Sequence, residues 1–172
     1  MSEDVRQQII ALLPRLRRFA LGLTGSRDDA DDLVQAACER ALSRLHQWQP
    51  DTRLDSWMFR IVKTIWIDQW RTNRARGEHV DLDSIEPPAG SNGRHVTEAR
   101  NTLEVVCRAM ERLPDEQRLV LTLVSVDGLS YEEAAAVLEV PVGTVMSRLT
   151  RARRRLYELV ENKPATLARG RN

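Results

Sequence analysis

The sequence predicts an all-α protein of two small helical domains, a three-helix bundle and a helix-turn-helix unit, joined by a flexible linker. Three observations carry this expectation. Apolar residues recur every three or four positions through both halves of the 172 residues, the period of an amphipathic helix. No stretch alternates apolar and polar residues as a half-buried strand would. Between the two periodic parts, residues 77–97 hold few large apolar side chains but contain Gly77, Pro87, Pro88, Gly90, Ser91, Asn92 and Gly93, which is linker composition.

In the first domain, residues 1–76, Val5, Ile9, Leu12, Leu16, Phe19 and Leu23 step by four and three. Pro14 removes an amide from that run, so a kink or two abutting helices is expected there. Thr24, Gly25 and Ser26 stop the run and cap a second helix. Its first turn holds Asp28 and Asp29, where the helix dipole favours acids. Ala30, Leu33, Ala37, Ala41 and Leu45 mark its buried face. A loop from Trp48 to Asp55 contains Pro50, and a third helix is expected over residues 56–74, with Met58, Ile61, Ile65 and Ile67 as its apolar contacts.

The second domain spans residues 98–162. Thr97 can cap a helix carrying Leu103, Val106, Met110 and Leu113. Pro114 and Asp115 open another, with Leu119, Val120, Leu123 and Val126, closed by Gly128. Ser130 and Glu133 have capping-box spacing and start a short helix through Leu138. A turn containing Pro141 leads to a long last helix with Val145, Leu149, Ala152 and Leu156 on its inner stripe. Residues 163–172 read as a short disordered tail.

Composition excludes several classes of function. With 30% charged and 42% apolar residues, the chain can bury real cores and is not wholly disordered. No stretch approaches the roughly 18 uncharged apolar residues of a membrane span, and the N-terminus lacks a basic-then-apolar signal pattern. Cys38 and Cys107 stand alone, giving neither a disulfide framework nor a zinc site, so a cytoplasmic location is expected. His46, His79 and His95 are scattered, and no nucleophile has a recognisable base and orienting group. No catalytic residue, metal or cofactor is expected, and the chain does not read as an enzyme.

The formal net charge of +1 conceals an arrangement. Residues 115–139 carry one Arg against six acids, while Arg148, Arg151, Arg153, Arg154 and Arg155 crowd together with no acid among them. That cluster lies on the second helix of the helix-turn-helix pair, the element that enters the major groove in such motifs. Thr144, Met146, Ser147, Arg148 and Arg151 would reach base edges, and Arg153, Arg154 and Arg155 the flanking phosphates. The plainer alternative is a solvated basic helix. A second feature is the gathering of all four tryptophans, Trp48, Trp57, Trp66 and Trp70, among Arg53, Arg60, Lys63, Arg71, Arg74 and Arg76. Aromatic faces beside cations suit unstacked bases and their phosphates, but the same spacing also fits core tryptophans with solvated Arg behind them. The run Asp28, Asp29, Asp31, Asp32 matches no calcium loop and reads as helix-capping acids and an exposed protein-contact face.

These motifs, in this order, resemble a known family. Asp31-Asp32-Leu33-Val34-Gln35, Ser56-Trp57-Met58-Phe59-Arg60-Ile61-Val62 and Ile67-Asp68-Gln69-Trp70-Arg71 are similar to region 2 of bacterial sigma factors. Leu113-Pro114, Arg118-Leu119-Val120-Leu121, Gly128 to Ala135 and Gly143 to Arg153 resemble region 4. The chain thus looks like an extracytoplasmic-function sigma factor of the sigma-70 family over nearly its whole length. The resemblance implies a dissociable subunit that binds core RNA polymerase, through the β′ coiled coil and the β flap, and directs initiation at promoter DNA. It implies Asp32, Leu33, Gln35, Glu39 and Arg40 as core-binding residues. For capture and melting of the −10 element it implies the loop from Trp48 through Arg53 to Asp55, then Trp57, Arg60, Lys63, Thr64, Asp68 and Arg71. For the −35 element it implies Thr144, Ser147, Arg148, Arg151 and Arg154. It also implies an anti-sigma factor that clamps the two domains.

Two positions depart from the family pattern. Thr64 stands where Asn is frequent, and Glu139 where many members have Gly in the helix-turn-helix turn. A left-handed backbone at Glu139 would be a strained choice. Two other readings remain: a helix-turn-helix regulator that binds duplex DNA alone as a dimer, and a helical adaptor that binds only proteins.

Overall fold

A computed structural model describes residues 2–76 and 95–161, all of whose regular elements are helical. The tail and nearly all of the expected linker lie outside the described residues. The first unit packs α1 (Ser2–Thr24), α2 (Arg27–Ser43) and α3 (Leu54–Arg76), with a single 3₁₀ turn at Leu45–Gln47 before the loop to α3. The second contains α4 (His95–Glu111), α5 (Asp115–Leu121), a π-helical turn at Thr122–Val126, α6 (Tyr131–Leu138) and α7 (Val142–Glu161). Helix α4 takes up the last residues assigned to the linker, so Thr97 falls inside it rather than capping it.

Of the two outcomes expected at Pro14, a kink or two abutting helices, the second does not occur: α1 is one helix with Pro14 inside it. Pro14 and Ile10 both lie on the exposed side, so the carbonyl that loses its amide partner faces water. At its end Gly25 takes φ +73°, and Ser26 Oγ accepts the Asp29 amide at 3.3 Å to start α2. Phe19 meets Phe59 of α3 edge-on at 5.1 Å, in the middle of the bundle. In the second unit the capping box forms as spaced. Ser130 Oγ accepts the Glu133 amide at 3.1 Å, and the Glu133 carboxylate accepts the Ser130 amide at 2.8 Å.

The two units share one continuous core. Helix α1 packs on the π-helical turn and on α4, and α3 packs on α6. A Cβ on Gly22 would lie 2.6 Å from Thr122 Cγ2, so glycine permits the close approach of α1. Arg118 of α5 joins the units most directly. It is 1% exposed, and its guanidinium donates to the Leu23 carbonyl at the end of α1 at 2.8 Å. It also donates to the Glu111 carbonyl at the end of α4 and lies over the Trp66 ring of α3, 5.8 Å from its centre.

Asp127, after the π-helical turn, is less comfortable. Its side chain is fully buried, with Arg18 of α1 3.6 Å away as a long, weak ion-pair partner. Burial pushes its pKa up to about 6, against the opposing charges of Arg18 and Arg15. The folded protein therefore holds this proton more tightly than an unfolded chain, whose carboxyl titrates near 3.8. Stability associated with Asp127 is fully present below pH 3.8 and is lost as pH rises through about 6.

Two outcomes follow for stability. Arg118→Ala strands two helix-end carbonyls and should cost about 3 kcal/mol, read by circular dichroism as a Tm lower by roughly 6–12 °C. Asp127→Asn should stabilise the protein by about 2 kcal/mol at pH 7.5, with the advantage over the parent gone at pH 4. Urea titrations at the two pH values measure that difference.

Candidate nucleic-acid and polymerase interface

Helix α7 divides sharply into two faces. Val145, Leu149 and Ala152 are buried against the domain, whereas Met146, Ser147, Thr150, Arg151, Arg153 and Arg154 are exposed. Their spacing sets Met146, Ser147, Thr150, Arg151 and Arg154 along one outward stripe. Thr144 is half-buried at its start. Arg148 lies at the edge of this face: its side chain is 20% exposed, and Nη2 is 3.0 Å from Glu116 of α5. Ser147 Oγ donates to the Thr144 carbonyl at 3.1 Å, and Arg151 Nε to the Ser147 carbonyl at 3.2 Å. Arg154 pairs with Glu158 one turn on, at 3.1 Å. The turn before α7 places Glu139 at φ 59°, ψ 43°, in the left-handed region. Among the described residues it is the only non-glycine with positive φ, a conformation that costs about 1 kcal/mol or more.

Helix α3 and its preceding loop form the second surface. Arg53 grips Asp55 with two hydrogen bonds, at 2.7 and 3.1 Å. Arg15 and the Ser56 amide also donate to Asp55, at 3.2 and 2.7 Å. Burial alone would raise the Asp55 carboxyl, but these donors and the Arg53 charge hold it below its ordinary value. Trp48 and Trp57 are half-buried against the core, and the Trp48 indole N–H is buried with no acceptor among the described residues. Trp66 is a core residue, 2% exposed. Thr64 and Asp68 are exposed, with Thr64 Oγ1 donating to the Arg60 carbonyl at 2.8 Å. The side chains of Trp70 and Arg71 lie outside the described residues.

The cations of this surface face α6. Arg53 pairs with Glu133. Arg60 Nη2 donates to the Ala136 carbonyl at 3.0 Å. Lys63, whose side chain is 11% exposed, donates from Nζ to the Val137 carbonyl at 3.0 Å and to Glu139 Oε2 at 3.2 Å. Periodicity gave no sign of these pairings; the single signal was Glu139 in a position suited to glycine.

On α2, Asp32, Gln35 and Glu39 are exposed along one stripe, with Gln35 donating to Glu39 at 3.1 Å. Arg40 is half-buried beside it. Leu33 points inward at 1% exposure, so it supports the stripe from beneath. Leu42, which the sequence pattern did not single out, extends the stripe as an exposed apolar residue. Among the described residues there is no group of His, Cys, Asp and Glu suited to a metal, and no helix long and apolar enough to cross a membrane.

Comparison with known proteins matches this geometry to a family. The family model for sigma-70 region 4 fits residues 103–156, and the model for the Sigma2 domain of PhyR fits residues 9–63. The chain is 36% identical over 160 residues to the ECF RNA polymerase sigma factor EcfG of Rhodopseudomonas palustris, covering 93% of this chain and 87% of that one. It is 34% identical over 150 residues to the ECF RNA polymerase sigma-E factor of Escherichia coli K12, covering 82% and 76%. Among solved structures, the sigma factor RpoE in complex with the anti-sigma factor NepR from Bartonella quintana superposes with a TM-score of 0.77 at 30% identity, covering 94% of this chain and 99% of that one. CnrH in complex with the cytosolic domain of CnrY gives a TM-score of 0.70 at 26% identity, covering 95% and 92%. With this identity over nearly its whole length, the chain belongs to the ECF sigma factors of RNA polymerase.

Proposed function

We propose that this ECF sigma factor reads the −35 element with the outward stripe of α7 and captures the −10 strand on α3 and the loop before it, while α2 holds core polymerase. The observation that carries the −35 assignment is the division of α7: a buried apolar stripe fixes the helix in its domain, and the opposite stripe offers Ser147, Arg151 and Arg154 to a groove. Arg151 is placed for a base edge and Arg154 for a phosphate. Thr144 and Arg148 border the stripe, Arg148 steadied by Glu116. On the other unit Arg53, Arg60, Lys63 and Arg71 supply phosphate contacts. Trp48, Asp55 and Trp57 shape the loop that takes an unstacked base, with Thr64 and Asp68 further along the helix. Holding that base outside the stack offsets part of the melting cost, of order a few kcal/mol.

The protein performs no bond chemistry. It binds core RNA polymerase and gives it promoter choice, and an anti-sigma factor opposes it. Asp32, Gln35, Glu39 and Leu42 form the polymerase-facing stripe, with Arg40 at its edge and Leu33 behind it. Specificity comes from two weak readers held on one polymerase, each raising the effective concentration of the other.

Run-off transcription with purified core polymerase on a genomic promoter library should give specific transcripts only when the protein is added. Arg151→Ala should weaken selection at one −35 position by about 1–3 kcal/mol. Duplex binding by the protein alone, with no core-dependent transcripts, would instead mark a stand-alone regulator. A Gln35→Arg, Leu42→Arg double variant should lower affinity for core by roughly tenfold or more in a fluorescence titration, with Tm unchanged because both side chains are exposed.

A further inference from the structure

Two large apolar side chains stand exposed on α7, Met146 at 50% and Tyr157 at 63%. Met146 belongs neither to the core nor to the half-buried residues packed around it, so the fold makes no use of it. It sits in the second turn of α7, the N-terminal part of a recognition helix that comes closest to base edges. Thr150 follows one turn later on the same side. Its hydroxyl donates back to the Met146 carbonyl at 2.9 Å, so its proton is used within the helix and its methyl group widens the apolar patch. Ser147, Arg151 and Arg154, at the same spacing of four and three, make a parallel polar row beside it. The outward face of α7 therefore carries two rows, one of hydrogen-bonding and charged groups and one that begins apolar.

Among the groups that the base edges display in the major groove, the thymine 5-methyl is the apolar one. Hydrogen-bonding side chains do not sense it, whereas a flexible, polarisable thioether adapts to it readily. The exposed Arg151, Arg153 and Arg154 border the patch and attract the phosphates of a duplex. The occupant that this charge selects is DNA rather than an apolar protein surface. We propose that Met146, with the Thr150 methyl beside it, reads a thymine methyl in the −35 element and makes one position of the promoter selective for an A·T pair. This rests on the assignment of α7 to the −35 element made above.

The test is run-off transcription by core polymerase and the full-length protein on a promoter selected from the library. Each −35 thymine of either strand is replaced in turn by uracil, which keeps the pairing with adenine and lacks only the methyl group. Burying one methyl is worth a factor of about four, so the parent should lose about fourfold in initiation at one thymine and little at the others. Met146→Ala should start from that lowered level and initiate equally on the thymine and uracil templates. Met146→Leu, which keeps an apolar side chain of similar size, should retain most of the difference. Tyr157→Ala removes the other exposed apolar side chain of α7, about 16 Å further along the helix, and should discriminate as the parent does. Equal initiation by the parent on thymine and uracil at every −35 position would overturn the proposal. So would a −35 element without an A·T pair, or an undiminished thymine preference in Met146→Ala. Core-dependent transcripts that weaken with Arg151→Ala but ignore uracil refute the methyl contact alone. An absence of core-dependent transcripts refutes the −35 assignment beneath it.

Discussion

Two helix C-termini, those of α1 and α4, end against the same buried guanidinium. The last turn of a helix leaves carbonyls without amide partners, and here Arg118 supplies donors to one from each half of the chain while resting on Trp66. A buried charge is tolerated only when its donors are used. Arg118 therefore requires α1, α3, α4 and α5 to be present together in one arrangement. The close passage of Gly22 over Thr122 and the burial of Asp127 beside Arg18 belong to that same seam. By comparison, the ion pairs between α3 and α6 with its turn are partly exposed.

Across the seam the charges are divided by task. Helix α3 carries the cations Arg60 and Lys63, and α6 with its turn carries the carbonyls and the carboxylate that pair with them. Over the whole chain 26 basic and 25 acidic residues nearly balance, so neither basic cluster shows in the net charge. Helix α7 has few such internal partners, and its arginines lean on their own backbone or on a neighbour one turn away. The contrast leaves the cations of α3 paired within the molecule and the outward arginines of α7 largely exposed.

Much of this was legible in the residues. The steps of four and three through Val5 to Leu23, and the capping box at Ser130 and Glu133, mark helices whose physics is local, so sequence spacing suffices to find them. The basic cluster after Pro141 was legible for the same reason, because the stripe of Val145, Leu149 and Ala152 fixes which side faces out. Pro14 was harder to read, because whether it divides a helix depends on whether the freed carbonyl meets water, and that is set by tertiary exposure. Arg118 and the partners of Arg53, Arg60 and Lys63 were hidden because those contacts join residues 74 to 95 positions apart, where no periodicity operates. Leu33 was read in two ways: periodicity put it on the buried face of α2, where it lies, while the family resemblance put it among the core-binding residues.

The strained residue in the helix-turn-helix turn also bears on how such a protein can change over generations. Codons for glutamate and glycine differ by one base, so the backbone preference and the charge at position 139 can be exchanged in a single mutational step. Most routes to a looser association between two halves of a protein damage a core. This one would relax a turn instead and remove one charge from the contact with Lys63 and Arg60, so a lineage can adjust how firmly α6 holds α3 with little penalty in folding.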